Sequence, residues 1–465
     1  MRHACTSILY TIVFAGASGA ATITVPDDYA TIQAAINAAD DFDEILVEPG
    51  TYSNGDIAII DPLGKSLAIR STLGPEVTIL DGLNERRGII CYNYDNVTIE
   101  GFTIQNCIPV DWPGWDGELG QSDGAGLNSG SASPTIINCT FESDTQHRNG
   151  SPVFQNCTWK SVQHESVHNA TPSFTNCNFE DGAGFSGNFD VVANFHGCTF
   201  SDGYDSYQGG WYYAGGAAIK LYLDSGAVVD GCRFENNYSA TDGGAIMHDS
   251  TNGPSGTLLV TNSVFIGNSA LNNGGAIYSA DSARIEGCTF HANQATGTYG
   301  RGGALKIVSG NEIVGCEFVG NTATYQGGTV AFTGYPSIVN SLISSSSIPC
   351  ISTTSGSIDI GSTQFCGHSS SDMTDAWEDL GGNEFDADCE IGTKGSCCIN
   401  GGCLELVYED CATVVGNFGG LGTYCAGTSC EDGSNPSGCP SDSDADDDVD
   451  VHDLLLLLES WGACP

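Results

Sequence analysis

A short motif, small residue–Cys–any residue–aromatic, recurs along the middle of this chain and restricts its fold more than any other feature. It reads Asn138-Cys139-Thr140-Phe141, Asn156-Cys157-Thr158-Trp159, Asn176-Cys177-Asn178-Phe179 and Gly197-Cys198-Thr199-Phe200. It continues as Gly231-Cys232-Arg233-Phe234, Gly287-Cys288-Thr289-Phe290 and Gly315-Cys316-Glu317-Phe318, with Asn262-Ser263-Val264-Phe265 filling one gap. A second motif interleaves with it: Gly243-Gly244-Ala245-Ile246, Gly274-Gly275-Ala276-Ile277 and Gly302-Gly303-Ala304-Leu305, with weaker copies at Gly215 and Gly327. Between the two stand Asn236, Asn268, Asn293 and Asn321.

Repeats of this length indicate a solenoid. Cys and aromatic, at i and i+2, point to the same side of a strand. Unit lengths from 18 to 34 residues fit coils whose turns differ and fit helical repeats poorly. Gly-Gly suits a tight corner. Asn suits a left-handed corner, and stacked Asn can form a hydrogen-bonded ladder. The expected fold is all-β: a right-handed parallel β-helix in which each short strand pairs with its copy one coil later.

Two resemblances attach to these residues. Residues 197–345, with G-G-A-I and F-x-x-N, resemble the repeats of polymorphic outer-membrane proteins. Residues 23–82 resemble the N-terminal part of pectin-lyase-like β-helix proteins, through Ile23-Thr24-Val25-Pro26, Thr31-Ile32-Gln33-Ala34-Ala35-Ile36, Glu48-Pro49-Gly50-Thr51-Tyr52 and Gly74-Pro75 to Asp81-Gly82. That likeness implies a short helix over the T-I-Q-A-A-I segment, capping the open end. The residues agree: Ile32, Ala35, Ile36 and Ala39 line one helical face, and a solenoid end must be covered.

The repeated cysteines admit two states. Neighbouring coils bring their Cα atoms within disulfide range, but parallel side chains in register suit the disulfide dihedral poorly. Stacked, buried thiols acting as small hydrophobes are the favoured reading.

The totals limit partners. Against 13 Lys plus Arg stand 57 Asp plus Glu, a net charge of −44. Such a field repels nucleic acid and anionic membranes and favours cations. It also weighs against an acidic polysaccharide partner unless calcium bridges the two. Met1-Arg2-His3, the apolar run Ile8–Ala15 and the small residues up to Ala21 read as a signal peptide. That run is too short for a membrane span. The expectation is a secreted, extracellular or cell-surface protein with no membrane span.

His164-Glu165-Ser166-Val167-His168 spells H-E-x-x-H, a zinc motif that works on a helix, where i and i+4 lie about 6 Å apart. On a strand the two histidines would stand about 13 Å apart, too far to share an ion. Pro152 and Pro172 bracket the segment, so turn histidines are expected and no zinc. Gly187-Asn188-Phe189-Asp190 resembles the Gly-to-Asp strand of pectin methylesterases, but His168 stands where a second Asp is needed, and the acid–base pair fails. Asp190 is expected in a turn. The N-T-D and G-H-G motifs of polygalacturonases have no counterpart.

Two long units stand out. One holds Trp112, Trp115, Asp116 and Glu118; the other holds Asp202, Tyr204, Asp205, Tyr207, Trp211 and Tyr212. Trp112, Trp115, Tyr204, Tyr207, Trp211 and Tyr212 are the expected ligand-binding residues, because aromatics beside acids are what sugar rings stack on. Asp116, Glu118, Asp202 and Asp205 are the weak catalytic candidates, and Arg148, Lys160 and Lys220 the cations that could serve them.

After residue 345 the repeats fade. Cys366 and Cys389 are expected to bridge. Cys397, Cys398, Cys403, Cys411, Cys425 and Cys430 make a dense disulfide module whose pairing stays open. In the tail, Asp442, Asp444, Asp446, Asp448, Asp450 and Asp453 fall at positions 1, 3, 5, 7, 9 and 12 of a calcium loop. An apolar run, Leu454–Leu458, follows. The unit resembles half a dockerin, although Asp447 occupies the sharp-turn position and the second half-repeat is missing. Cys439 and Cys464 flank it.

The expected organisation is a signal peptide (1–21), the β-helix (22–365), a cysteine-bridged cap (366–395), a six-cysteine module (396–430) and a dockerin-like calcium tail (431–465). The expected function is a scaffold that binds a glycan or surface partner through aromatic loops, with calcium in the tail. The alternative is a polysaccharide lyase or glycoside hydrolase on the same fold.

Overall fold

The computed structural model describes residues 20–92, 95–110, 124–162, 165–206, 215–249, 256–308, 312–344, 349–373 and 377–386, together with the strands Gly395–Ile399, Gly402–Leu406 and Asn417–Leu421. The chain divides into two units, 1–194 and 195–465. Each holds a parallel β-helix, as the motifs require.

In the first unit a coil has three strands. One coil runs through Val153–Gln155 in sheet A, Thr158–Lys160 in sheet B and Glu165–His168 in sheet C. Each strand pairs in parallel, in register, with its copy in the next coil: Phe154 with Phe174, Trp159 with Phe179, Val167 with Gly187. The helix Ile32–Ala38 buries Ile32, Ala35 and Ile36, with Ala39 buried just beyond its end. The Thr31 hydroxyl accepts from the Ala34 amide at its start, and the Lys65 ammonium donates to the carbonyls of Ile36 and Ala39 at its end. The first four unpaired amides and last four carbonyls of a helix need such partners.

In the second unit a fourth sheet, D, enters between B and C. One coil runs through Leu258–Thr261 (A), Val264–Ile266 (B), Ser269–Ala270 (D) and Ile277–Ser279 (C). Parallel pairing extends past residue 365: Trp377–Gly381 pairs with Ile358–Gly361, and Glu384–Asp386 with Gln364–Cys366. One more coil thus follows residue 365, within the segment expected as a cap. The last coil faces solvent with Glu378, Asp379 and Leu380, and so lacks the apolar pattern that marks the others. Cys366 is disulfide-bonded; Cys389 lies outside the described residues. Gly395–Ile399, Gly402–Leu406 and Asn417–Leu421 form a separate antiparallel sheet within the cysteine-dense segment.

The repeated motif has a backbone cause. Its small residue turns the chain from sheet A into sheet B with a positive φ: 49° at Asn138, 53° at Asn156, 62° at Gly231 and 49° at Asn262. Asn and Gly alternate there because they tolerate the left-handed region. The next residue is buried and bonds back across the corner. The Cys139 and Cys232 thiols reach the carbonyls of Ile137 and Asp230 at 3.3 and 3.4 Å, and the Ser263 hydroxyl reaches Thr261 at 2.8 Å. Cys139, Cys157, Cys177, Cys198, Cys232, Cys288 and Cys316 are buried thiols outside any disulfide, as expected. Burial holds the Cys139 and Cys288 thiols far above the ordinary thiol range. The aromatics stack face to face: Phe200, Phe234, Phe265, Phe290 and Phe318 follow at centroid spacings of 4.6–5.0 Å.

The asparagine ladder exists, with one member corrected. It comprises Asn237, Asn268, Asn293 and Asn321, all buried, not Asn236. Asn236 is the exposed left-handed corner at φ 55°, and Gly267, Ala292 and Gly320 hold that place in later coils. Each ladder oxygen accepts from both the main-chain and side-chain amides of the preceding member. Asn268 donates to Asn293 at 2.9 and 3.0 Å, and Asn293 donates to Asn321 at 2.9 Å from both. The side-chain amides also close onto the carbonyls of Phe234 and Phe265. The two glycines of G-G-A-I differ in role. Gly274 needs its φ of 62°, whereas a Cβ on Gly275 would meet the Gly303 carbonyl oxygen at 2.0 Å.

Two stability predictions follow from these contacts. Asn293→Ala strands two donors of Asn268 and the Phe265 carbonyl, so urea unfolding should show a loss of at least about 2 kcal/mol. Asn236→Gly, at a positive φ, should change stability by less than about 0.5 kcal/mol. Glu317, buried at 8 % exposure on the outer side of sheet B, is pushed up to about 7 by burial alone. The folded chain binds this proton more tightly than the unfolded chain. The stability tied to it is complete below the ordinary glutamate range and is lost as pH rises through about 7. Glu317→Gln should therefore raise the melting temperature at pH 8 and leave it near wild type at pH 4.

Candidate functional site

Of the residues singled out by sequence, Trp112, Trp115, Asp116, Glu118, Tyr207, Trp211, Tyr212 and the tail aspartates Asp442, Asp444, Asp446, Asp448, Asp450 and Asp453 lie outside the described residues. The insertion 111–123 leaves after the sheet B strand Thr103–Gln105 and returns into the sheet C strand Leu127–Gly130. In the second unit, insertion 207–214 leaves after Tyr204–Asp205 of sheet D and returns into Ile219–Tyr222 of sheet C. Each insertion therefore adjoins a sheet C strand of its own unit.

Three candidates of the second long unit, ahead of its insertion, are described. Tyr204 is 64 % exposed and stacks on Tyr238 one coil later, with ring centroids 5.3 Å apart and planes 16° from parallel. Asp202 holds the left-handed corner after sheet B, at φ 55°. Asp205 is only 5 % exposed. Its carboxylate lies 3.2 Å from the Lys220 ammonium, itself 95 % buried, and accepts the Gly215 amide at 2.8 Å. Burial lowers the Lys220 amine, and Asp205 partly restores it. As a catalytic acid Asp205 is therefore corrected: it is the buried counterion of Lys220, because the second residue of its two-residue strand faces inward.

The H-E-x-x-H segment is a strand. Glu165–His168 belongs to sheet C, and His164 lies outside the described residues. His168 is thus on a strand, correcting the turn expected for it, and it stacks on Phe189 at 6.0 Å. Asp190 is an exposed turn residue at φ 52°, as expected. Among the described residues no group of three or more His, Cys, Asp or Glu could hold a metal.

The structure brings together residues that sequence reasoning passed over. On the outer face of sheet C in the first unit, one row along the register is Ile90, Asn128, Gln146, Ser166, Ser186, and the next is Tyr92, Gly130, Arg148, His168, Asn188. Solvent-facing positions of a solenoid are usually exposed, yet Asn128 is 2 %, Gln146 1 % and Asn188 6 % accessible. The Tyr92 hydroxyl donates to the Asn128 carbonyl oxygen, and the Asn128 amide donates to Gln146 at 3.3 Å. Asn188 donates to Ser186 at 3.1 Å. Burial pushes the Tyr92 hydroxyl well above the ordinary phenol range, so it remains a donor. A Cβ at Gly130 would stand 2.7 Å from the Tyr92 ring, so the glycine makes room for that ring. Only alignment of units on the Cys-x-aromatic motif could have exposed this row, since its residue types differ from coil to coil.

The repeat model of Chlamydia polymorphic membrane proteins matches residues 231–248 and 262–280. Each match spans a Cys or Ser corner, a ladder asparagine and a G-G-A-I turn. No curated protein sequence matches. Among solved structures, the catalytic unit of a GH87 α-1,3-glucanase from Streptomyces thermodiastaticus is 11 % identical, with a TM-score of 0.38 over 80 % of this chain and 72 % of that one. Tailspike protein 3 of bacteriophage CBA120 is 14 % identical, with a TM-score of 0.38 over 77 % of this chain and 58 % of that one. The receptor-binding domain of the siphovirus 9NA tailspike is 12 % identical, with a TM-score of 0.40 over 81 % and 79 %. Among the described residues no helix is long and apolar enough to cross a membrane.

Breaking the Asp205–Lys220 pair leaves a buried charge without its counterion. Asp205→Asn should cost about 3–5 kcal/mol in urea unfolding; a loss under about 1 kcal/mol would mean that water reaches the pair. The chain is a parallel β-helix carrying two copies of a repeat found in Chlamydia polymorphic membrane proteins.

Proposed function

We propose that this protein is an extracellular or cell-surface scaffold that binds a glycan through exposed aromatic rings of the second unit. The observation that carries this reading is the stack of Tyr204 on Tyr238, in which Tyr204 is 64 % exposed. A sugar ring lays its apolar face on such rings and turns its hydroxyls to polar groups beside them. Trp112, Trp115, Tyr207, Trp211 and Tyr212, which lie outside the described residues, are further aromatic residues of the chemistry proposed. The signal-peptide pattern and the repeat match fit export to the surface.

A lyase or glycoside hydrolase needs two carboxylates, or an acid with a cation, open to substrate. The geometry of Asp205 and Lys220, paired with each other and withdrawn from solvent, favours the scaffold. Six aspartates at calcium-loop spacing make the tail the proposed cation site, one that resembles half a dockerin.

A glycan array combined with a polysaccharide-degradation screen, with and without calcium, tests the reading. Binding without cleavage is expected, weakened several-fold by Tyr204→Ala, whose exposed ring is not needed for folding. Cleavage of any polymer that is lost on substituting a loop acid would replace the scaffold with the enzyme. For the tail, calorimetry of the full chain should show calcium binding that disappears with Asp442→Ala plus Asp446→Ala.

A further inference from the structure

Positive charge is rare in this chain, and most of it is answered. Arg70 pairs with Glu44 and Glu100, Arg233 with Glu235, Arg284 with Glu286 and Glu312, and Lys220 with Asp205. Lys65 caps a helix. Two cations of the second unit differ. Among the described residues neither Arg301 nor Lys306 has a carboxylate at ion-pair distance. Lys306 is 95 % buried on the outward row of sheet C, and its ammonium donates to the Thr333 hydroxyl at 2.8 Å. Arg301 sits at the corner before that strand, bridged to Asn273 and Gln326 of the neighbouring coils. Its Nε is buried and has no hydrogen-bond partner. In a molecule of net charge −44, two unanswered cations so near each other are an anomaly. They are close enough for Arg301, together with burial, to push the Lys306 amine down to about 8.

Aromatic surface surrounds them. The Arg301 guanidinium lies 5.2 Å from the centre of the Tyr325 ring, within cation–π range. Tyr299 meets Tyr325 edge-on at 5.9 Å, and the two rings are 74 % and 49 % exposed. Tyr278 occupies the Lys306 register one coil earlier, and three aspartates, Asp242, Asp249 and Asp281, act on it. The positive region is therefore narrow, about the width of one anionic group between coils some 4.8 Å apart.

We propose that Arg301 and Lys306, with Tyr299 and Tyr325, form a recognition site for the anionic group of an acidic sugar, a carboxylate or a sulfate. The guanidinium fork and the ammonium hold the anion, and the tyrosine rings carry the sugar face. The inference rests on the glycan-binding reading above and deepens it. It also departs from what net charge suggests, since two cations with no carboxylate at ion-pair distance among the described residues stand at this corner.

The test is titration calorimetry of the full chain at low and high salt. The probes are an oligogalacturonate, a sulfated oligosaccharide and the carboxyl-reduced oligogalacturonate of the same length. At least one charged probe should bind roughly tenfold or more tightly than the reduced one, with the preference fading in salt; which charged probe binds tells carboxylate from sulfate. Arg301→Gln and Lys306→Met should erase that preference, while Tyr299→Ala should weaken charged and reduced probes alike. Should the cation variants fail to fold by circular dichroism, Tyr299→Ala decides, and unchanged affinity overturns the site. Equal affinity for charged and reduced probes, or a preference that survives Arg301→Gln, overturns the site and leaves the general reading standing. No binding of any saccharide on the array or here overturns both.

Discussion

Each coil is incomplete by itself. Its strands direct their amides and carbonyls toward the neighbouring coils, and only pairing there satisfies them. That one requirement propagates. Register must hold from coil to coil, so a given position meets its own copy above and below. Phe meets Phe, thiol meets thiol and Asn meets Asn. A residue is then selected for how it stacks on itself, and chemically simple rows result: the phenylalanines from Phe200 to Phe318 and the asparagines from Asn237 to Asn321.

Corners obey the same rule with a different chemistry. A chain that changes sheet leaves polar backbone groups without strand partners, and burying them unpaired costs about 1–3 kcal/mol each. A buried Cys, Ser or Thr after a corner from sheet A to sheet B answers one of them: Cys316 bonds the carbonyl of Val314, Ser341 that of Val339 and Thr363 that of Gly361. This interchange explains why thiols here are structural. A sulfur that serves the same bond as a hydroxyl needs neither a disulfide nor a base.

Charge follows a separate logic. Stacked outward rows would bring like charges together every coil, and the described ion pairs relieve this across strands, as Arg70 does between Glu44 and Glu100. Departures from that pattern are therefore informative. Asp205 and Lys220 are withdrawn from water together; among the described residues Arg301 and Lys306 have no carboxylate at ion-pair distance; and Glu317 is buried. On the outer face of sheet C in the first unit, Tyr92, Asn128 and Gln146 bond to one another along the register.

The sequence by itself determined the coil. Motif spacing, the i, i+2 placement of Cys and aromatic, and the apolar face of Ile32, Ala35 and Ile36 carried the solenoid, the stacked thiols and the capping helix, because those features are local and repeat. It did not separate Asn236 from Asn237, since unequal turns hide which asparagine faces inward until the coils are stacked. Nor could it find the Tyr92–Asn128–Gln146 band or the burial of Asp205 against Lys220. Those partners lie 15 to 36 residues apart, in differing residue types. Only the tertiary structure decided them, because burial and pairing depend on the coil next door, and that neighbour leaves no mark on a residue's own sequence context.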